Sequence, residues 1–368
     1  MIRKHIPWAE PRYWGNEEQY VTEALRSTWI SGGPYIERLE ASLAGYCESP
    51  HAVATSNGTT AIHAAYLALG VRPGDEIVVP AFAFMAAANV ALNMGAKPVF
   101  ADIDASTWCV TADAIARCIT PRTRGIVPVH TYGNVCDMDP ILQLANARGL
   151  WVLEDAAEAL GSTYRGRQAG TIAPIGSYSF HATKTITTGE GGAVVTRDPA
   201  LAERMRLYRS HGVKSHRYWH DVAGHNFRLT NLQAAIGCAQ FECIEPITRE
   251  RARVYRSYLG ALASVPGVAV QQMTPGVEPL VWAIAIRLEE RAYPQGRDSL
   301  MKQMAEVGIE TRPGFHAAAE MNHLYDAPGT PVATSVASQM ISVPSSPTVS
   351  DEEIAFIVSR LAQLATPR

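Results

Sequence analysis

The sequence predicts an α/β protein organised around a mainly parallel sheet with helices on both faces. Two observations predict it. From about residue 50 to 210, short β-prone runs alternate with Ala-rich stretches of helical length. Those runs are nearly continuously apolar, as strands buried on both faces are. In order, the strand candidates are 76–80, 98–103, 125–129, 150–154, 178–180 and 193–196, and the helix candidates between the earlier ones are 59–69, 85–94, 112–118 and 140–148. In such sheets ligands gather at the carboxyl ends of the strands.

The flanking segments read differently. Residues 1–30, with Pro7 and Pro11 and leading to the turn Gly32-Gly33-Pro34, form an N-terminal arm that crosses between domains. Residues 31–245 make the large α/β domain. After Asn231 the texture changes: 232–244 and 248–262 read as helices with Pro246 at their junction, 268–271 and 282–288 as strands, 299–307 as a helix. A closing helix runs over 351–364 behind the capping residue Ser350. Residues 246–368 are therefore expected to form a smaller α+β domain.

Composition removes several classes of function. The chain has 368 residues, 47% hydrophobic and 18% charged, with a net charge of −3. That is an ordinary globular composition with no basic patch for a polyanion, so nucleic acid is not an expected partner. No apolar run reaches the ~18 residues of a membrane span, and the N-terminus has no signal-peptide core. The six cysteines include no Cys-x-x-Cys pair and no metal-ligand spacing. They read as reduced thiols, which points to a cytoplasmic protein. His216 and His220 are four apart but have no matching third ligand, so no metal site is expected.

The chemistry-bearing residues lie at strand ends. Lys184 follows the run Ser177–Phe180 and precedes the glycine cluster Gly189-Glu190-Gly191-Gly192. Asp155 follows the apolar run Leu150–Leu153. An amine and a carboxylate so placed are the two groups pyridoxal phosphate (PLP) needs, one for a Schiff base and one to keep the pyridine nitrogen protonated. Ser56-Asn57-Gly58-Thr59-Thr60 opens the helix 59–69, where free backbone N–H groups suit a phosphate dianion, and Ser179 offers a nearby hydroxyl. Phe84 follows another strand end and can stack on a flat ring, whereas Phe82 reads as core. Taken alone, the Ser56–Thr60 turn is an ordinary N-cap, Lys184 a solvated lysine and Asp155 a helix cap. Their joint placement makes the case. The dinucleotide spacing Gly-x-Gly-x-x-Gly, the Walker lysine and the Gly-x-Ser-x-Gly elbow are all missing.

Several of these runs belong to one pattern. Lys184–Gly192, Glu154–Ala159, Asn57–Thr60 and Phe227–Gly237 resemble the DegT/DnrJ/EryC1/StrS aminotransferases, and the resemblance extends from Trp29–Gly33 to Val343–Pro347. It implies fold type I: a mainly parallel seven-stranded sheet flanked by helices, with a smaller α+β C-terminal domain. It also implies PLP as cofactor, passing through pyridoxamine phosphate, with glutamate and a keto-sugar nucleotide as substrates. Carried over by position, Lys184 holds PLP covalently, Asp155 pairs with the ring nitrogen and Phe84 stacks on the ring. Gly58, Thr59 and Ser179 bind the phosphate, joined by Asn226 from the second subunit of a homodimer with shared active sites. Glu158 falls near the ring's phenolic oxygen.

Within that family, Ile119–Thr123, Pro128–Gly133, Cys136–Leu142 and Arg217–Trp219 are similar to the branch that aminates C4 of a GDP-linked 4-keto-6-deoxymannose. Two departures lie where the sugar is expected. His181-Ala182-Thr183 stands in place of an aromatic then Gly-Asn, and Ala317–Ala319 follows His316 where a second histidine is usual. His316 is the candidate for the sugar hydroxyls, and Arg228 and Arg312 are candidates for the donor carboxylate. Three other functions fit the same scaffold: amination of an aminocyclitol ketone, PLP-dependent sugar dehydration, and non-catalytic ligand binding or regulation. Lys184 argues against the dehydratase, whose close relatives carry histidine there.

Overall fold

The computed structural model describes residues 2–324 and 329–366. Five strands, β1 (His51–Thr55), β2 (Glu76–Pro80), β3 (Lys97–Ala101), β4 (Thr123–Ile126) and β5 (Trp151–Asp155), enter one sheet. A hairpin of β6 (Thr163–Tyr164) and β7 (Arg167–Gln168) follows, and β8 (Ile175–Ser179) and β9 (Gly192–Thr196) complete the sheet. Its seven strands run in the order β1-β9-β8-β5-β4-β2-β3. Only β9 is antiparallel to its neighbours, so the sheet is the mainly parallel one expected. The chain after residue 262 adds β10 (Val268–Val270), β11 (Val277–Glu278), β12 (Ile284–Leu288), β13 (Arg312–Pro313) and β14 (Met340–Val343). The strands β10-β12-β14-β13 form an antiparallel sheet, while β11 pairs with the β6–β7 hairpin.

The sheet is covered on both faces. One cluster packs Ala61, Ile62 and Tyr66 of helix Gly58–Leu69 with Phe82 and Trp108; the other packs Leu39 and Leu43 of helix Pro34–Tyr46 with Tyr178 and Phe180. A third core joins Tyr258 of helix Ile244–Leu262, Ile286, Ile341 and Ile357 under the antiparallel sheet.

Some elements differ from the sequence expectation. β1 escaped it because His-Ala-Val-Ala-Thr carries little β-branched bulk; pairing with β9 over five residues supplies what propensity lacks. The arm contains a helix the sequence reading did not assign, Glu17–Arg26, which packs on helix Asn231–Glu242. Pro246 does not separate two helices but sits in the first turn of helix Ile244–Leu262, where a missing N–H costs nothing. The expected strand 282–288 begins only at Ile284. Trp282 leaves the ladder, its N–H donating to Tyr132 O at 3.0 Å. The closing helix Asp351–Leu364 has the predicted cap: Ser350 Oγ accepts from Glu353 N in a full capping box. No helix among the described residues is long and apolar enough to cross a membrane.

Candidate active site

Asp155 is the last residue of β5, buried between the parallel neighbours β4 and β8. Its N–H donates to Pro128 O at 2.9 Å and its carbonyl accepts from His130 N at 3.0 Å, which fixes where the side chain leaves the sheet. The carboxyl accepts one hydrogen bond, from Ala157 N at 3.1 Å, and forms no ion pair among the described residues. Burial pushes it up from the usual carboxylate range; Ala157 N–H and the charge of Lys184 pull it partly back.

Lys184 comes from the turn that joins β8 to β9. The two strands stay paired past their ends through Phe180 N→Gly191 O at 2.7 Å and Thr188 N→Phe180 O at 2.9 Å, so the residues between them are forced out of the sheet. The lysine is largely buried, its Nζ 3.4 Å from Glu158 Oε1 and 3.5 Å from the centre of the Trp282 ring. Burial lowers its pKa, opposed by the carboxyls of Glu158 and Asp155. Glu158 is itself buried and pushed up by desolvation; its other oxygen accepts from Tyr132 N at 2.8 Å. Three buried titratable side chains thus act on one another with opposing shifts, a pattern common at catalytic centres.

The phosphate candidates lie one strand away. Asn57 Oδ1 accepts from Thr60 N and Thr60 Oγ1 accepts from Asn57 N, which closes a capping box and leaves the N–H groups of Gly58 and Thr59 outside it. A Cβ on Gly58 would stand 2.9 Å from Ser179 Cβ, and one on Gly192 would stand 2.5 Å from the Asn57 carbonyl carbon. The two glycines let the helix start approach the sheet end. Gly58→Ala therefore reverses the usual helical gain from alanine of up to ~1 kcal/mol. Cofactor affinity should fall about tenfold or more, ~1.4 kcal/mol, in a titration of the cofactor-free protein.

The remaining sequence candidates are distributed unevenly. Phe84 is 63% exposed with its edge toward Phe315 at 6.3 Å, while Phe82 is fully buried, the core residue it was read as. Asn226 accepts from Arg228 Nε at 3.2 Å, and the residue between them accepts from Ser56 N at 2.8 Å, which places this segment beside the phosphate turn of the same chain. His316 is paired with Glu320 at 2.8 Å and Arg312 with Glu310 at 2.7 Å; neither shares a hydrogen bond with Asp155, Glu158 or Lys184.

Four residues of the site were not legible in the sequence. His130 is buried with Nε2 2.9 Å from Glu154 Oε2, and that carboxylate also accepts from Gly170 N and Ala173 N. Tyr132, at φ +61°, stacks between Phe315 at 5.1 Å and Trp282 at 6.3 Å. Trp282 donates from its indole to Thr183 O at 2.7 Å, and Arg251 donates to Lys184 O at 2.8 Å. Only the spacing Asp155–Glu158 could have drawn attention to their partners.

These residues fit PLP. A buried carboxyl with one backbone donor calls for a second, cationic N–H; the cleared helix start suits a dianion; the exposed Phe84 face suits a flat ring. Together with the sheet that carries them, they define a PLP-dependent enzyme of the aminotransferase type. Comparison with known proteins agrees. The model of the DegT/DnrJ/EryC1/StrS aminotransferase family matches residues 13–362. The GDP-perosamine synthase of Caulobacter vibrioides is 44% identical over 84% of this chain and 84% of its own. That of Escherichia coli O157:H7 is 40% identical over 96% and 97%. The Streptococcus pneumoniae protein Spr1654, solved in a PLP form, superposes with a TM-score of 0.92 at 27% identity, over 98% of each chain; its PMP form scores 0.92 at 28% identity, over 98% of this chain and 97% of its own. The chain belongs to the DegT/DnrJ/EryC1/StrS aminotransferase family, and its cofactor is PLP.

Proposed function

We propose that the chain moves an amino group from glutamate to C4 of a GDP-linked 4-keto-6-deoxy sugar, as a homodimer. The observation that carries the chemistry is the buried Lys184–Glu158–Asp155 cluster at the carboxyl ends of β5 and β8. The substrate reading is supported by the two relatives named GDP-perosamine synthase at 44% and 40% identity. Residues 31–245 then serve as the cofactor-binding domain and residues 246–368 as the smaller domain that closes on it. Asn226, exposed beside its own phosphate turn, is assigned to the partner subunit's phosphate.

The cofactor, when bound, supplies a carbonyl for amine exchange and a ring that accepts electrons. The side chains do the rest. Lys184 Nζ, eased toward its neutral form by burial, takes a proton from the donor's Cα and in the second half-reaction returns one to the sugar carbon that receives nitrogen. Asp155 holds a proton at the ring nitrogen with its carboxylate. Glu158, kept in place by Tyr132 N–H, faces Nζ and buffers its charge as the proton comes and goes. Gly58, Thr59 and Ser179 orient the phosphate, and Phe84 covers one ring face and excludes water.

Incubating the enzyme with glutamate and a panel of GDP-, dTDP- and UDP-linked keto-sugars, with mass spectrometry as readout, tests the assignment. Amination of the GDP-linked 4-keto sugar at a kcat/KM at least about tenfold above the others is expected. Preference for another nucleotide, or for an aminocyclitol ketone, ends the substrate reading while leaving the chemistry intact.

A further inference from the structure

Arg251 lies on helix Ile244–Leu262, 5% exposed, and forms no ion pair among the described residues. Burial without a counter-charge is costly for a guanidinium and drags its pKa down to about 10. The fold holds it through carbonyls instead. Nη2 donates to Lys184 O at 2.8 Å and Nη1 to Trp282 O at 2.9 Å, while Nε has no partner among the described residues.

The two carbonyls are not arbitrary. Lys184 O belongs to the residue that carries the reactive amine, and Trp282 O to the residue whose ring face that amine rests on at 3.5 Å. The Trp282 indole closes the arrangement by donating to Thr183 O at 2.7 Å. Two consecutive carbonyls of the lysine turn, outside any sheet ladder, are therefore capped by residues far along the chain. One guanidinium spans both the start of the lysine side chain and the surface beneath its end.

We propose that Arg251 is a positioning residue for the amine: its two Nη groups lock the Lys184 turn to Trp282, and its unpaired charge offsets Glu158 and Asp155 across the lysine. The groups facing Lys184 are Glu158 and Asp155 from the end of β5 and the segment after it, Arg251 from its helix, and the Trp282 ring. Arg251 alone among them bears positive charge. A bidentate fork serves both carbonyls at once, which a lysine ammonium cannot do with the same geometry.

The inference rests on Lys184 being the covalent anchor, so the test reads that step without any sugar. Full-length, cofactor-free protein is mixed with PLP, and the rate of covalent uptake is followed against pH by absorbance. Only the neutral amine reacts, so the midpoint of that profile reports on Lys184. In Arg251→Met the midpoint should rise by roughly half to one pH unit, because a nearby positive charge has gone. In Arg251→Lys the midpoint should stay near wild type. Both variants, as holoenzymes, should lose about 10- to 100-fold in kcat with KM little changed, the cost of a misplaced base.

An unmoved midpoint in Arg251→Met, or kcat within twofold of wild type in both variants, overturns the proposal. Should Arg251→Met fail to fold, Arg251→Lys decides alone: a kcat close to wild type rejects the fork. Lys184→Ala serves as the control. Covalent uptake in that control would remove the anchor itself, a different failure from loss of the Arg251 effect.

Discussion

Lys184→Ala is expected to eliminate turnover, with a loss of at least about 10^4-fold, because the proposed mechanism uses one amine as both covalent anchor and proton carrier. The argument is geometric. Among the charged groups acting on Lys184, Glu158 and Asp155 are carboxyls and Arg251 is committed to two carbonyls, so none of them is a base of comparable strength. The variant should still fold. Removing a buried amine relieves its desolvation, and Glu158, left without its cationic neighbour 3.4 Å away, takes up a proton instead. Two measurements check this: steady-state assay at saturating substrates, and reduction with borohydride followed by intact-mass analysis. Wild type should gain the mass of the cofactor and the variant should not. A variant with activity near wild type sinks the mechanism.

How much of this could be read from the chain follows from how local each signal is. Asn57 and Ser350 announce helix starts because a cap needs only three or four neighbouring residues, and both capping boxes formed. Asp155 was visible because it closes the apolar run Leu150–Leu153, and Lys184 because it stands in a polar turn between a β-prone run and a glycine cluster. Phe84 was singled out as the aromatic after a strand end and Phe82 was left to the core, and their exposures, 63% and 0%, agree. What stayed hidden was what depends on distant pairing. β1 is a strand because β9 lies beside it, not because Ala52 and Ala54 favour one. Arg251 and Trp282 bond to residues 67 and 99 positions away, and nothing in their own neighbourhoods marks them. His130 lies within Pro128–Gly133, one of the runs that carry the resemblance, yet its role is set by Glu154 across the sheet. Arg312, a sequence candidate for the donor carboxylate, is held by Glu310 two residues before it and leans over Trp8. An exposed arginine offers the sequence no sign of which neighbour it will choose.

Asp155→Asn is expected to lower kcat by about 10²- to 10³-fold, the span typical for removing one preorganised electrostatic partner of a developing charge. The amide matches the carboxylate in shape and can still accept from Ala157 N, so the backbone at the end of β5 should not move. What is lost is the negative charge proposed to keep a proton on the ring nitrogen. A second consequence has the opposite sign. In the cofactor-free protein this carboxyl is buried with a pKa raised by desolvation. A folded state with the higher pKa binds the proton more tightly than the unfolded chain, so stability falls as pH rises between the unfolded value, about 3.9, and the raised folded value. Above that window the carboxylate burdens the cofactor-free fold, and asparagine removes the burden. Melting curves of cofactor-free protein should therefore rank Asp155→Asn above wild type at neutral pH and level with it at the acidic end. Adding PLP should reverse the neutral-pH order, because only the carboxylate is stabilised by a pyridinium N–H. The reversal separates two explanations of a slow variant. A residue needed merely for folding would lower the melting point with and without cofactor, whereas one built to meet a bound cation costs stability until that cation arrives.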